Sequence, residues 1–178
     1  MFLRMLRKQA FFCGMEVVSY TVMSNHFHLL LRVPYEEEIS DGELLRRYRK
    51  LYGERVPFSS KSPQELSRLF RAGGKEAEEE RIKLKARMGD LSVFMRELKQ
   101  RFSIWYNRSH HNRGTIWSDR YKSLLVEDDE EALAVVSAYI DLNAVRAEIV
   151  DDPANYRHCS YGEAMGGGKE ARKGLMSI

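Results

Sequence analysis

The stretch Met23-Ser24-Asn25-His26-Phe27-His28-Leu29-Leu30-Leu31 sets two histidines one residue apart. In an extended strand successive side chains alternate faces, so His26 and His28 share one face. Phe27, Leu29, Leu31 and Val33 fall on the other, which is expected to face the core. Two imidazoles side by side on a rigid strand make a two-nitrogen half-site for a divalent metal. The same pair also suits an ordinary polar sheet face. A second pairing lies further along, where Tyr139 and Asn143 are four residues apart in a helical pattern and so share a helix face. The Asn143 amide oxygen could complete a metal site opened by His26 and His28, with Tyr139 beside it as nucleophile. A phenol with an ordinary pKa of about 10 is a weak nucleophile and needs charge neutralisation nearby. Mg²⁺ or Mn²⁺ polarising a scissile phosphate would provide it and would orient the 3′ leaving oxygen. Two imidazoles and one amide oxygen leave coordination positions for phosphate and water, as in a catalytic site rather than a closed structural one. Taken alone, Tyr139 also reads as a core residue packed beside Val135, Val136 and Ile140.

These groups need a hairpin and a helix to hold them. Met15 to Met23, rich in β-branched residues, predicts a strand; Ser24-Asn25 a tight turn; His26 to Val33 the returning strand, ended by Pro34. Before it, Phe2, Leu3, Leu6 and Ala10 recur at helical spacing, with Gly14 as the break. From Tyr35 to Gly89 the chain reads as an inserted helical excursion with thin apolar content. Its starts are marked by Ser40-x-x-Glu43 and Ser62-Pro63-x-Glu65, and Glu76 to Arg87 is a highly charged helix. Asp90 caps an amphipathic helix whose inward face carries Leu91, Phe94 or Met95, Leu98, Phe102 and Trp105. A basic loop from Asn107 to Gly114 leads into Thr115–Val126, a strand pair or extended segment. Asp128 to Glu131 opens a last strong helix running to about Asn143. Residues 1–165 thus form one expected domain, and the Gly166-Gly167-Gly168 region, 166–178, a flexible tail.

At 178 residues, 43% hydrophobic and 31% charged, the chain has the material for one folded domain. No apolar run approaches the roughly 18–20 residues that span a bilayer. The basic N-terminus is too interrupted for a signal peptide, so no membrane partner and a cytoplasmic location are expected. Cys13 and Cys159 form no metal-type pair and are expected as reduced thiols. The net charge of +3 is mild, but Arg96, Lys99, Arg101, Arg108, Arg113, Arg120 and Lys122 face only Glu97 and Asp119 between Ser92 and Val126. The acids concentrate in Glu36-Glu37-Glu38, Glu76 to Glu80 and Asp128 to Glu131. One basic segment in a nearly balanced chain is what a phosphate-facing surface looks like, and equally what a solvated helix face looks like.

Three blocks, Met23 to Leu31, Gly114-Thr115-Ile116-Trp117-Ser118-Asp119-Arg120-Tyr121-Lys122-Ser123 and Ala138-Tyr139-Ile140-Asp141-Leu142-Asn143-Ala144-Val145-Arg146-Ala147, resemble in order those of the HUH single-tyrosine transposases. The likeness is to the REP-associated tyrosine transposases of the IS200-like superfamily, and Tyr156 to Tyr161 resembles their closing segment. The resemblance implies an α+β fold, a ferredoxin-like α/β sandwich whose antiparallel sheet carries the His-x-His strand, plus the helical insertion at about 35–89. It implies metal-dependent nicking and strand transfer of single-stranded DNA near palindromic hairpins, through a 5′-phosphotyrosine and a free 3′-hydroxyl, as in DNA transposition and recombination. Residue by residue, His26, His28 and Asn143 match the metal ligands and Tyr139 the nucleophile. Arg113, Trp117, Arg120, Tyr121 and Lys122 match DNA contacts, in which the cations neutralise phosphate and Trp117 or Tyr121 stacks on an unpaired base. Trp117 also reads as a packing residue. The protein would act as a monomer or homodimer.

The family carries proline where Ser24 and Ala144 stand, and a strand before the helix that starts here at Met1. One sheet position is therefore expected to be empty or filled from elsewhere, leaving an edge open to pairing. The alternative function is a catalytically lapsed protein that still binds DNA hairpins. A metallohydrolase barrel needs about 250 residues, and a histidine-triad hydrolase needs a third histidine where Leu30 stands.

Overall fold

The computed structural model describes residues 1–33, 38–53, 56 and 60–178. The expected strand stop at Pro34, and Tyr35, Glu36 and Glu37 at the head of the helical excursion, lie outside the described residues. The fold is mixed α and β, with a two-stranded antiparallel sheet among the described residues. The chain divides into two compact units, Met1–Met15 with Val33–Tyr121, and Glu16–Arg32 with Lys122–Ile178. The division falls at the ends of the hairpin and after Tyr121, not at the 35–89 limits expected of an insertion.

The first unit is helical. Helix α1 (Phe2–Cys13) ends where Gly14 takes a left-handed conformation, φ 70°, and returns its N–H to the Ala10 carbonyl. Helix α2 (Asp41–Tyr52) starts with the Ser40 hydroxyl accepting from the Glu43 N–H. Helix α3 (Pro63–Ala72) starts with the full Ser62–Glu65 capping box and proline in its first turn. Helices α4 (Lys75–Lys85) and α5 (Leu91–His110) follow, the latter capped by Asp90 as its sequence predicts. The 35–89 region is better packed than its composition suggests, because Leu44, Leu51, Leu66, Phe70, Ala77 and Leu84 are all buried. Glu97 of α5 ties this unit together. Its carboxylate accepts from both Arg87 Nε and an Arg87 terminal nitrogen (2.9 and 2.8 Å) and from the buried Gln9 amide (2.8 Å).

The second unit contains the hairpin. Strand β1 (Glu16–Val22) pairs with β2 (Phe27–Arg32), Thr21 opposite His28 and Ser19 opposite Leu30, with a bulge at Val18. His26 sits in the turn just before β2, not in the strand, and its carbonyl accepts from the Met23 N–H at 2.9 Å. The buried member of β2 is Leu30, on the face of His28, whereas Phe27, Leu29 and Leu31 are only half-buried and Val33 is exposed. This reverses the expectation that the odd-numbered residues face the core. The reason is helix α6 (Glu130–Asp141), whose Leu133 and Ile140 pack with Val18 and Leu30. The helix ends at Asp141, close to the expected limit of about Asn143, and a short α7 (Asn143–Arg146) continues from it. No strand forms between Thr115 and Val126, where Leu124 and Leu125 are fully exposed.

The outer edge of β1 is filled from elsewhere in the chain. The Val22 N–H donates to the His158 carbonyl (2.9 Å), the Tyr20 N–H to the Ser160 hydroxyl (2.6 Å), and the Tyr156 hydroxyl to the Val22 carbonyl (2.7 Å). Beyond this segment lie α8 (Ser160–Met165) and, in place of a flexible tail, α9 (Lys169–Leu175), which packs on β1. The Gly166-Gly167-Gly168 run is a corner: Gly168 approaches Glu163 so closely that a Cβ there would lie 2.8 Å from its carbonyl oxygen. Gly174 lets α9 lie against the bulge, since a Cβ would stand 2.4 Å from the Val17 carbonyl oxygen and 2.6 Å from that of Val18. Gly174→Ala is therefore expected to push α9 off β1 and to cost about 1–3 kcal/mol in urea unfolding. An unfolding midpoint equal to the parent's would show that α9 does not bear on the strand.

Candidate active site

The turn and strand of the hairpin bring His26 and His28 together with their ring centroids 5.1 Å apart and planes nearly perpendicular (89°). Packing of α6 on the same face then brings Tyr139 to His28, at 6.1 Å between centroids. Tyr139 is 48% exposed, so it is not the core residue that the alternative reading allowed. Its helix buries Leu133, Ser137 and Ile140 instead, and Tyr139, one residue before Ile140, lies about 100° round the helix from the packed stripe.

Asn143 is held beside Tyr139 by its own backbone chemistry. Its Nδ2 donates to the Tyr139 carbonyl (2.8 Å) and to the Ile140 carbonyl (3.3 Å) in the last turn of α6. This commits the amide nitrogen and leaves Oδ1 with no donor among the described residues. His26 is oriented similarly: its Nδ1–H donates to Asn25 Oδ1 at 2.7 Å, which leaves the lone pair on Nε2. Burial, and next the neighbouring His26, hold the His28 imidazole below its ordinary pKa and so favour the neutral, ligating form. Imidazole nitrogens and an amide oxygen are donor types that a divalent cation accepts; the contacts seen run from His26 to His28, from His28 to Tyr139, and from Asn143 to the Tyr139 backbone. Among the described residues no group of three or more His, Cys, Asp or Glu gathers that could hold a metal ion.

Two residues that sequence reasoning did not single out belong to the cluster. Asn25 orients His26, and Arg146 lays its guanidinium carbon 4.9 Å from the centroid of the Tyr139 ring. The signal for Arg146 was its spacing, seven residues after Tyr139, which brings a helical side chain back to the same stripe. Cys159, the other nucleophile type in this unit, is buried and its thiol is pushed up to about 11 by burial, so it stays protonated at neutral pH.

The expected DNA contacts separate by environment. Arg113, Arg120 and Lys122 are exposed, and among the described residues no carboxylate pairs with them. Trp117 is docked instead: its indole N–H donates to the Lys99 carbonyl (3.1 Å), Lys99 Nζ lies 5.2 Å from the ring centroid, and Phe102 packs at 5.8 Å. The Lys99 ammonium in turn donates to the Asp119 carbonyl (2.7 Å), and the Tyr121 hydroxyl meets Ser92 Oγ at 3.0 Å. Trp117 and Tyr121 thus fasten the basic segment to α5, which leaves Arg113 and Arg120 on the outside of that unit; Lys122 begins the second unit. Comparison of the chain with family models, with curated proteins and with solved structures finds no match.

The environment of His28 sets a pH dependence. Its folded pKa lies below the unfolded value of about 6.5, so as pH falls through that value the unfolded chain takes the proton first and stability drops. Above it neither state is charged and the term vanishes. Urea melts of the parent between pH 7.5 and 5 should lose more stability than those of His28→Gln. Equal slopes in the two proteins would mean that His28 titrates as it does in the unfolded chain.

Proposed function

We propose that the protein nicks single-stranded DNA beside a palindromic hairpin and transfers the strand through a covalent 5′-phosphotyrosine at Tyr139. The observation that carries this reading is the run of contacts His26–His28–Tyr139, closed by the Asn143 amide on the Tyr139 backbone. It supports a nucleophile standing at the edge of a metal half-site, on a side chain half open to solvent. In this reading the hairpin and α6 are part of a ferredoxin-like sandwich, and the closing segment and α9 complete β1 on its far side.

His26, His28 and Asn143 would hold Mg²⁺ or Mn²⁺, which when bound supplies Lewis-acid polarisation of the scissile phosphate. The phenol oxygen of Tyr139 attacks phosphorus, the new Oη–P bond forms, and the P–O3′ bond breaks with its electron pair on the departing 3′ oxygen. That oxygen gains a proton from water, and the phenolic proton passes to solvent. One phosphodiester is exchanged for another, so a 3′-hydroxyl can reverse the step and join strands without a further energy source. His26, fixed by Asn25, and Asn143, fixed by the end of α6, are set before substrate arrives, which keeps reorganisation small. Arg113, Arg120 and Lys122 would neutralise backbone phosphates, giving affinity that falls steeply with salt.

Palindromic single-stranded DNA from beside the coding region, incubated with the protein and Mn²⁺, should yield a protein–DNA adduct that survives denaturation. The adduct should be lost in Tyr139→Phe and reduced at least about a hundredfold in His26→Ala. Hairpin binding with no adduct in the parent would overturn the enzyme and leave a catalytically lapsed, hairpin-specific DNA-binding protein.

A further inference from the structure

We propose that Arg146 is the phosphate-binding arm of the tyrosine site; this rests on the reading of Tyr139 as nucleophile. Arg146 closes α7, two helical turns beyond Tyr139, and its guanidinium carbon stands 4.9 Å from the Tyr139 ring centroid. The side chain is exposed, and among the described residues no carboxylate neutralises it.

Arg87 in the first unit lies over the Phe12 ring, 4.3 Å from its centroid, while its N–H donors are taken up by the Glu97 carboxylate. Arg146 also lies over a ring, but among the described residues no carboxylate takes up its donors. A guanidinium over a ring face keeps its N–H donors at its rim, in the fork geometry that grips two oxygens of one phosphate. Such a phosphate would lie next to the phenol that must attack it.

Arg146 is the cation that the described residues set against the Tyr139 ring. During attack, negative charge grows on the non-bridging phosphate oxygens as the Oη–P bond forms and the P–O3′ bond lengthens. The guanidinium neutralises that charge without giving up a proton. After cleavage the phosphotyrosine diester keeps one negative charge beside the same guanidinium. The strand end is thereby held until a 3′-hydroxyl returns to attack phosphorus and release the tyrosine. One residue thus serves both the nicking and the joining half of the reaction.

The test uses the full chain with Mn²⁺ and a single-stranded palindromic oligonucleotide. Adduct formation is followed in single turnover at saturating DNA, together with the DNA concentration giving half the maximal rate. Arg146→Ala and Arg146→Met should each slow the saturated rate by about a hundredfold, with half-saturation moved less than about threefold because distant phosphate contacts carry most of the affinity. Arg146→Lys, a cation without the fork, should fall between them and the parent. Strand joining from a purified adduct should slow in the same order. Arg146→Met keeps the stem over the ring, so a parent-like rate in that variant would show that packing and not charge matters, and would overturn the proposal. Thermal melts followed by circular dichroism separate slow chemistry from misfolding; should Arg146→Ala melt early, the Met and Lys variants decide. An adduct in the parent together with unchanged rates in all three variants defeats the Arg146 assignment alone. No adduct in the parent defeats the nucleophile reading and this assignment with it.

Discussion

Packing of α6 on the inner face of the hairpin is the contact from which the candidate site is assembled. Val18 and Leu30 from the strands meet Leu133 and Ile140 from the helix, with Val126, Val136 and Ile178 around them. Removing these side chains from water supplies the driving force, at about 25 cal/mol for each Å² of apolar surface. The geometry is set by the same residues. Leu133, Ser137 and Ile140 form one stripe, and the small Ser137 lets the helix approach the strand closely. Once Ile140 is seated, Tyr139 has nowhere to go but the margin of the interface, where His28 ends the buried row that Leu30 begins.

A second, polar layer fixes what packing alone would leave loose. Asn25 holds one imidazole and Asn143 is tethered to the end of α6. Asp141 at that same helix end is buried, its carboxyl raised above the usual range by burial, and it accepts from the Tyr161 N–H at 3.0 Å. That bond links α6 to the start of α8, and so to the segment that covers the outer edge of β1. The hydroxyl of Tyr20, on β1, reaches Glu163 of α8 in turn. The site and the closing segment are therefore parts of one hydrogen-bonded frame, and a carboxylate that seems remote from the chemistry helps to hold the helix that carries it.

Much of this was legible in the residues. Capping is local chemistry, so Ser62–Glu65, Asp90 and an acidic start to α6 could be read directly. The hairpin declared itself through a two-residue turn, and the Tyr139–Asn143 spacing through helical periodicity. The inner face of β2 was not legible, because apolar residues occupy both faces from Phe27 to Leu31 and only the distant α6 chooses between them. The bulge at Val18 was hidden for a similar reason: nothing local marks it, and its partner, Gly174, lies far along the chain. Three consecutive glycines suggested a loose tail, yet they serve a tight corner into α9. Trp117 left two readings open; its indole N–H meets a backbone carbonyl of α5, a contact made far along the chain that no local pattern announces.

The hairpin interrupts the helical unit in the chain, and its covering elements come only after residue 121. A ribosome makes β1 and β2 and then adds residues 33–129 before α6 is made. At roughly 5–20 residues per second, the nascent hairpin waits several seconds with Val18, Leu30 and the outer edge of β1 uncovered. Long-range closure of this kind also slows folding after release. The order in which the chain is written therefore leaves this short stretch of sheet exposed during synthesis until the elements after residue 121 are made.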